Sequence, residues 1–247
     1  DVGLSWASML AIILFVFSGS HFLGIKTIQL DGNFIRANVW YIAGGIVETI
    51  QISLISIFFA TILALLAALG RLSTFPPIYA LSTFYGSLIR GTPLYLPIFF
   101  FFLALPQLGV VPSAFWSGVL PLSLNYGAYM SEIFRAGLSS VGKGQREAAM
   151  ALGITPSQTM RRVVLPQALR FAIPPMGNDF ISMTKDSALV SATGFVRELT
   201  WRATKVGRAT FHNLEALIIA AIFYWIMTIL LSFAQSRLEA SLAKGDR

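Results

Sequence analysis

The feature that most constrains the fold is the run from Gly44 to Leu69, in which Glu48 is the one charged residue among 26. An α-helix of this length extends about 39 Å, which exceeds the ~30 Å hydrocarbon core of a bilayer. The rest of the chain agrees, because hydrophobic residues make up 55% of it and charged residues 12%, about half the charged share of soluble domains. The sequence therefore predicts an all-helical polytopic membrane protein.

Four further spans are predicted over residues 78–105, 113–132, 165–190 and 214–233. The first of these is interrupted by Gly91, Pro93 and Pro97, so we expect it to kink. The segment over residues 165–190 has low hydropathy for a membrane span, so we expect it to line a polar interior. We expect it to break at Pro174–Pro175 and to bring Asp179 into a cavity, as broken helices do near the midplane of transporters.

The N-terminal 43 residues form a separate region. An apolar run from Leu4 to Phe17, extendable to Leu23, is marginal for spanning and predicts one extra helix. Residues 24–43 are more polar and predict an external loop or an interfacial helix. A second interfacial helix is predicted over 195–208, where apolar and basic residues fall on different faces. That helix is either a lid on the outer leaflet or a dock for an external binding protein.

The polar stretch from 139 to 170 predicts a helical hairpin between two spans. Its first helix stops at Gly153, a residue suited to the left-handed conformation. The second starts at Thr155 as a cap, with Pro156 at the first helical position and Gln158 completing a capping box. Alternation of the spans puts ten Lys and Arg on the hairpin's side and six on the other, which places the hairpin and the C-terminal tail in the cytoplasm.

The hairpin resembles the cytoplasmic loop of permease subunits in ATP-binding-cassette importers. The matching residues are Glu147-Ala148-Ala149, Gly153 and Leu165-Pro166. Further matches, at Arg90-Gly91-Thr92-Pro93-Leu94, in the stretch 127–137 and in the stretch 165–170, narrow the resemblance to importers of polar amino acids of the histidine, glutamine and arginine type. The resemblance covers about residues 44–240.

The resemblance implies a type I importer permease fold with five core transmembrane helices plus one N-terminal helix. Residues 1–43 would be the extra helix and external loop, 44–240 the permease domain with its coupling loop at about 139–164, and 241–247 a cytoplasmic tail. It also implies a bacterial inner-membrane location and an assembly with two ATPase subunits, a second permease chain (identical or homologous) and an extracytoplasmic binding protein. In such an assembly Glu147, Ala148, Ala149 and Gly153 would transmit ATPase closure to the membrane helices.

The sequence gives little support for nucleotide binding, metal binding or nucleic-acid binding by this chain. The stretch Gly137–Gly144 matches seven of the eight places of a phosphate-binding loop, but it lacks the final Ser or Thr and follows a predicted membrane helix instead of a strand. We therefore predict that the chain is not an ATPase and carries no cofactor, and that ATP and magnesium bind the partner subunits. The chain has no Cys, its two His are far apart, and no aromatic and basic module for nucleic acid is visible.

Ionisable residues at membrane depth are the candidates for a substrate site, because burying a charge there is costly. The predicted substrate-binding residues are Asp179, Asn125, Glu132 and Lys185. Asp179 would take a cationic group, and Asn125 offers both a donor and an acceptor. For Glu132 an ion pair with Arg90 or Arg135 that locks two helices is the competing interpretation. For the whole chain the alternatives are a permease for another small solute and a channel or accessory subunit that needs no ATPase.

Overall fold

The computed structural model describes residues 2–16, 21–22, 25–26, 28–194 and 196–243. Apart from a two-residue antiparallel strand pair, β1 (His21–Phe22) and β2 (Ile25–Lys26), the regular structure described is helical. The α-helices are α1 (Val2–Val16), α2 (Gly32–Ala43), α3 (Gly45–Gly70), α4 (Pro76–Arg90), α5 (Tyr95–Phe99), α6 (Ala114–Ser140), α7 (Lys143–Ala151), α8 (Pro156–Thr159), α9 (Leu165–Asp186), α10 (Leu199–Thr210) and α11 (Asn213–Ala243). Shorter 3₁₀ and π segments follow α5, α8 and α9.

Within the described residues, two helices are long and apolar enough to cross a membrane, Gly32–Gly70 and Asn213–Ser241. A third crossing is formed if α4 and the segment Tyr95–Leu108 count as one span, with a bend of 97° between them. This is the predicted kink at Gly91–Pro93. The helices α6 and α9, of 27 and 22 residues, have the length of spans but not the apolar character. Several of their polar residues line the cavities described below.

The centre of the molecule is the contact between α3 and α6. Small residues allow a close approach: Ala60 and Ala64 on α3 are fully buried, as is Ala128 on α6. At Gly127 an added Cβ would lie 2.7 Å from Tyr85 Oη and 3.0 Å from Leu63 Cβ, so only glycine fits. Gly127 and Ala128 thus lie where α6 packs closely against its neighbours.

The N-terminal prediction is partly wrong. Helix α1 covers most of the predicted run, but His21 and Phe22 form a strand instead of continuing a helix to Leu23, and Leu23 lies outside the described residues. Ser18, Gly19 and Ser20 precede this strand in sequence, and all three have low helix propensity. The polar segment that follows contains α2, which the side chain of Asp31 caps through the N–H groups of Asn33 and Phe34.

Two predictions around the hairpin need correction. The second helix of the hairpin is not separate from the next span, since α8, a π-helix at Met160–Val164 and α9 are continuous. Pro166 explains the π-helix, because proline cannot donate to the carbonyl four residues earlier. The predicted break at Pro174–Pro175 is also wrong: α9 passes through both prolines to Asp186. There Gln235 Nε2, on α11, donates a 3.1 Å hydrogen bond to the Pro174 carbonyl.

The C-terminal elements differ from the prediction mainly in their bounds. Helix α10 begins at Leu199 after a cap at Glu198, rather than at 195, and Phe195 lies outside the described residues. Helix α11 extends ten residues beyond the predicted end at 233, to Ala243. The last four residues of the predicted tail also lie outside the described part of the chain.

Candidate functional site

Helix α7 carries the predicted coupling residues. Glu147 and Ala148 are exposed, whereas Ala149 is buried. Gly153 adopts the predicted left-handed conformation, with φ of 75°, and the N–H groups of Gly153 and Ile154 donate to the carbonyls of Met150 and Ala149 at 2.9 and 3.0 Å. These bonds close the helix end and leave one face of α7 accessible.

Side-chain hydrogen bonds join α7 to both long helices beside it. Arg146 Nη2 donates to the Leu138 carbonyl near the end of α6 at 2.7 Å. Gln167 Nε2, on α9, donates to Gln145 Oε1 at 2.7 Å. A displacement of α7 would therefore be passed to α6 and α9, the two helices that line the polar cavity described next.

This acidic cavity has a volume of about 340 Å³ and lies between the α4–α5 break, α6 and α9. It brings together two of the predicted substrate residues, Asp179 and Asn125. Tyr126 Oη donates a 2.7 Å hydrogen bond to Asp186 Oδ2 across the cavity. The lining residues are Thr92, Pro93, Leu94, Asn125, Tyr126, Tyr129, Asp179, Ser182 and Asp186.

Asp179 differs from the other polar groups of this cavity. Its Oδ2 atom is buried and accepts no hydrogen bond from any described residue. Asp179, Ser182 and Asp186 lie on one face of α9 because they are three and four residues apart. Two carboxylates with an amide and hydroxyl groups, and no cation in the lining, form a site suited to an ammonium or guanidinium group.

The other two predicted substrate residues lie elsewhere. Glu132 lines a separate cavity, where Oε1 accepts from Arg71 Nη1 and from Arg90 Nη1 (2.8 Å) and Oε2 accepts from Arg135 Nε (2.8 Å). This is the helix-locking arrangement that competed with a substrate role. Lys185 is exposed and does not line the acidic cavity, although its neighbour Asp186 does.

Several cavity residues escaped the sequence analysis. Tyr129 could have been found, because it lies four residues after Asn125 on the same helix face. Thr92 lies in the motif Arg90–Leu94, but it was not predicted to line a cavity because its side chain is uncharged. Arg71 gave no sequence signal, since it lies in a turn and reaches Glu132 only through the packing of α3 against α6.

At the opposite end of α3, buried polar groups hold α10 in place. Glu198 is fully buried and accepts from the N–H groups of Thr200 and Trp201 and from Tyr224 Oη at 2.9 Å. Burial raises the pKa of Glu198 to about 7, although these hydrogen bonds oppose the shift. Arg202 adds contacts to the Tyr41 carbonyl and to Glu48.

A capping interaction stabilises α2 beside this group. The N–H groups of Phe34 and Asn33 hold the pKa of the Asp31 carboxyl below its usual value, and His212 adds to the effect. The imidazole of His212 stacks on Phe34 with ring centroids 4.7 Å apart.

The chain is similar to known membrane transport components. Residues 60–244 match the family described as binding-protein-dependent transport system inner membrane component. The chain is 38% identical to the arginine transport system permease protein ArtQ of Bacillus subtilis over 88% of its length and all of the relative's. It is 42% identical to the L-cystine transport system permease protein TcyB of the same organism, over 84% of this chain and 89% of that one.

Solved structures give the same picture. A crystal structure of an amino acid ABC transporter with histidines superimposes with a TM-score of 0.81 and 35% identity, over 86% of this chain and 99% of that one. An inward-facing form of the MetNI methionine ABC transporter has a TM-score of 0.68 and 20% identity over 82% of this chain and 96% of that one, and supports the fold alone.

Proposed function

The chain belongs to the family of binding-protein-dependent transport system inner membrane components, and from that membership we propose that it forms the translocation path of an importer for a polar amino acid with a cationic group. As a permease subunit of this family it is a membrane protein and not itself an ATPase. Arginine and other basic amino acids are the first candidates, and neutral polar amino acids such as glutamine are the second.

The observation that carries the proposal is the unpartnered Oδ2 of Asp179 in the acidic cavity. A buried carboxylate oxygen without a donor is costly, so a bound cation would offset a penalty that the empty site carries. Asn125, only 7% exposed, lies on the facing helix and can donate to a substrate carbonyl or carboxylate. Relatives named for arginine and glutamine transport support the same class of substrate.

Coupling is proposed to pass through α7. Glu147 and Met150 on this helix and Leu152 just after it are exposed, so the surface combines a carboxylate with two large apolar side chains. Such a mixed surface suits a groove on an ATPase subunit, where Glu147 would pair with a basic residue. ATP and magnesium would bind there, on two ATPase subunits.

The remaining partners and the orientation complete the proposal. A second permease chain, identical or homologous, would close the path, and an extracytoplasmic binding protein would deliver the substrate at the α10 side. The hairpin and the C-terminus would face the cytoplasm of a bacterial cell, in keeping with the excess of basic residues on that side.

The test is uptake by the assembled complex in proteoliposomes supplied with binding protein on one side and magnesium and ATP on the other. Labelled L-arginine, L-histidine and L-glutamine are the probes. We expect ATP-dependent uptake of at least one of these amino acids by the wild-type complex. Asp179→Asn should reduce this uptake ten-fold or more, because a loss of that size is typical when a charge-assisted hydrogen bond is removed. Glu239→Gln, a matched change on α11 outside the cavity, should leave uptake unchanged. Full uptake by Asp179→Asn would mean that the cation binds elsewhere.

A further inference from the structure

A second cavity, which we call the basic cavity, lies beside the acidic one. Its volume is about 350 Å³, large enough for an amino acid. In its wall the guanidinium groups of Arg71 and Arg90 pair with the carboxylate of Glu132, which also accepts from Arg135, a residue outside the lining. The cluster therefore carries a net charge of +2. The lining residues are Arg71, Thr83, Gly86, Ser87, Arg90, Gly91 and Glu132.

The two cavities adjoin along the chain and in space. Arg90 and Gly91 line the basic cavity, and the next three residues, Thr92 to Leu94, line the acidic one. On α6, Asn125, Tyr129 and Glu132 share one face because they are four and three residues apart. The guanidinium carbon of Arg90 lies 5.6 Å from the ring centroid of Tyr129, which lines the acidic cavity.

The basic cavity retains unused hydrogen-bonding capacity. Glu132 has both oxygens engaged, yet Arg71 and Arg90 each donate only through Nη1. Among the described residues no acceptor contacts their Nε and Nη2 groups. These side chains are 23% and 41% exposed, so an entering ligand can reach them. A fixed ion pair alone would need one arginine, not three.

We propose that the basic cavity is a second station for the substrate, where Arg71 and Arg90 bind its α-carboxylate. Two adjoining cavities of opposite charge match the two charges of an amino acid. Glu132 lies seven residues, about 10 Å, further along α6 than Asn125, toward the hairpin, so this station is the inner one. Glu132 neutralises part of the positive charge of the arginines, and this competition keeps binding of the substrate carboxylate reversible. The proposal rests on the proposed amino acid substrate.

The experiment measures binding to the purified permease–ATPase complex without the binding protein, by calorimetry. The probes are L-arginine and its decarboxylated form agmatine, and L-glutamine and 4-aminobutanamide as a second pair. Uptake by the same preparation is measured separately. Absence of uptake would contradict the proposed importer function, whereas the binding data test the second station alone. The variants are Arg90→Gln, Arg90→Lys and Glu132→Gln, with Arg36→Gln on the exposed surface of α2 as the matched control.

The wild-type complex should bind L-arginine more tightly than agmatine, and L-glutamine more tightly than 4-aminobutanamide. Arg90→Gln should reduce this preference about tenfold, the effect of one charge-assisted hydrogen bond. Arg90→Lys should reduce it less, because it keeps the charge and loses the planar fork. Glu132→Gln should keep or increase the preference, since it removes the competing carboxylate, and Arg36→Gln should not change it.

A structural ion pair gives the opposite pattern. Arg90→Gln and Glu132→Gln would then weaken binding of acid and amine by the same factor, and that result would overturn the proposal. Equal binding of acid and amine by an uptake-competent wild type would also overturn it while leaving the importer function intact.

Discussion

Single carboxylates perform different tasks in this molecule according to what surrounds them. Asp179 is placed in a cavity with an oxygen that no described residue satisfies, whereas Glu132 is surrounded by arginines and Glu198 by backbone donors. The first arrangement leaves a place for a ligand cation. The second leaves excess positive charge, and the third fixes a helix.

The pKa of Glu198 leads to a prediction about stability. Burial raises this pKa from its ordinary value of 4.5 to about 7, so the folded protein holds the proton more tightly than the unfolded chain. The stability that this group contributes is therefore present below about pH 4.5 and is lost as pH rises through about 7. We expect the apparent Tm of the purified complex to decrease between about pH 4.5 and 7, and Glu198→Gln to reduce that dependence.

Other titrating groups also contribute to such a profile, so the comparison with the variant is decisive. Thr204→Ser, which changes a side chain of α10 that does not titrate, is the control and should retain the slope of wild type. An identical pH profile for wild type and Glu198→Gln would show that Glu198 is ionised in the folded protein throughout this range.

At the scale of elements, α7 is the part whose sequence determines its geometry most directly. Gly153 has a φ of 75° and no atom within 4 Å of an added Cβ, so a substitution there is opposed by backbone conformation and not by crowding. The hydrogen bond that Arg146 donates to α6 and the one that Gln145 accepts from Gln167 then connect the helix to α6 and α9. The geometry of the helix end thus sets where Glu147 is presented.

Gly153→Ala should weaken coupling. An alanine in the left-handed region costs about 1 kcal/mol, which favours a shifted helix end. We expect reduced ATP-dependent uptake with normal membrane insertion. The control is Gly144→Ala in the same helix, where an added Cβ also meets nothing within 4 Å and φ is not positive; this change should be neutral or slightly stabilising. Equal effects of the two changes would remove the conformational argument.

Charge reversal at Glu147 tests the same helix through its partner. Glu147→Arg should leave the chain in the membrane but uncouple ATP hydrolysis from uptake, because it removes the carboxylate that we propose to pair with the ATPase. Uptake and ATPase activity are measured on the same proteoliposomes, with Arg36→Glu on α2 as the control. Uptake at the wild-type rate by Glu147→Arg would exclude Glu147 from coupling.

Elements whose signals are local in sequence were predictable, whereas those that depend on tertiary packing were not. The 26-residue run, the capping box at Thr155 and the left-handed Gly153 were predictable because each depends on residues near in sequence. The prolines of α9 were not, since Gln235 on a distant helix contacts the Pro174 carbonyl and the helix continues. The chain breaks instead at Gly91–Leu94, where the acidic cavity forms.

At the scale of the whole molecule, both cavities are open at the surface of a single chain. A half-buried acid such as Asp179 and a cluster with net charge +2 would be costly beside lipid, so we infer that a second permease chain covers them across a two-fold interface. We expect the purified complex to contain two permease chains and two ATPase subunits. The mass of the complex measured by native mass spectrometry tests this, and transport by a complex with one permease chain would contradict it.

Within that assembly we propose that Asp179 holds the cationic group of the substrate. The most direct measurement is a cryo-electron microscopy structure of the complete complex with L-arginine. We predict ligand density in the acidic cavity with a nitrogen about 2.7–3.2 Å from Asp179 Oδ2 and no such density in Asp179→Asn. A structure in which a residue of the second permease chain occupies that oxygen, with the amino acid bound elsewhere, would contradict the claim.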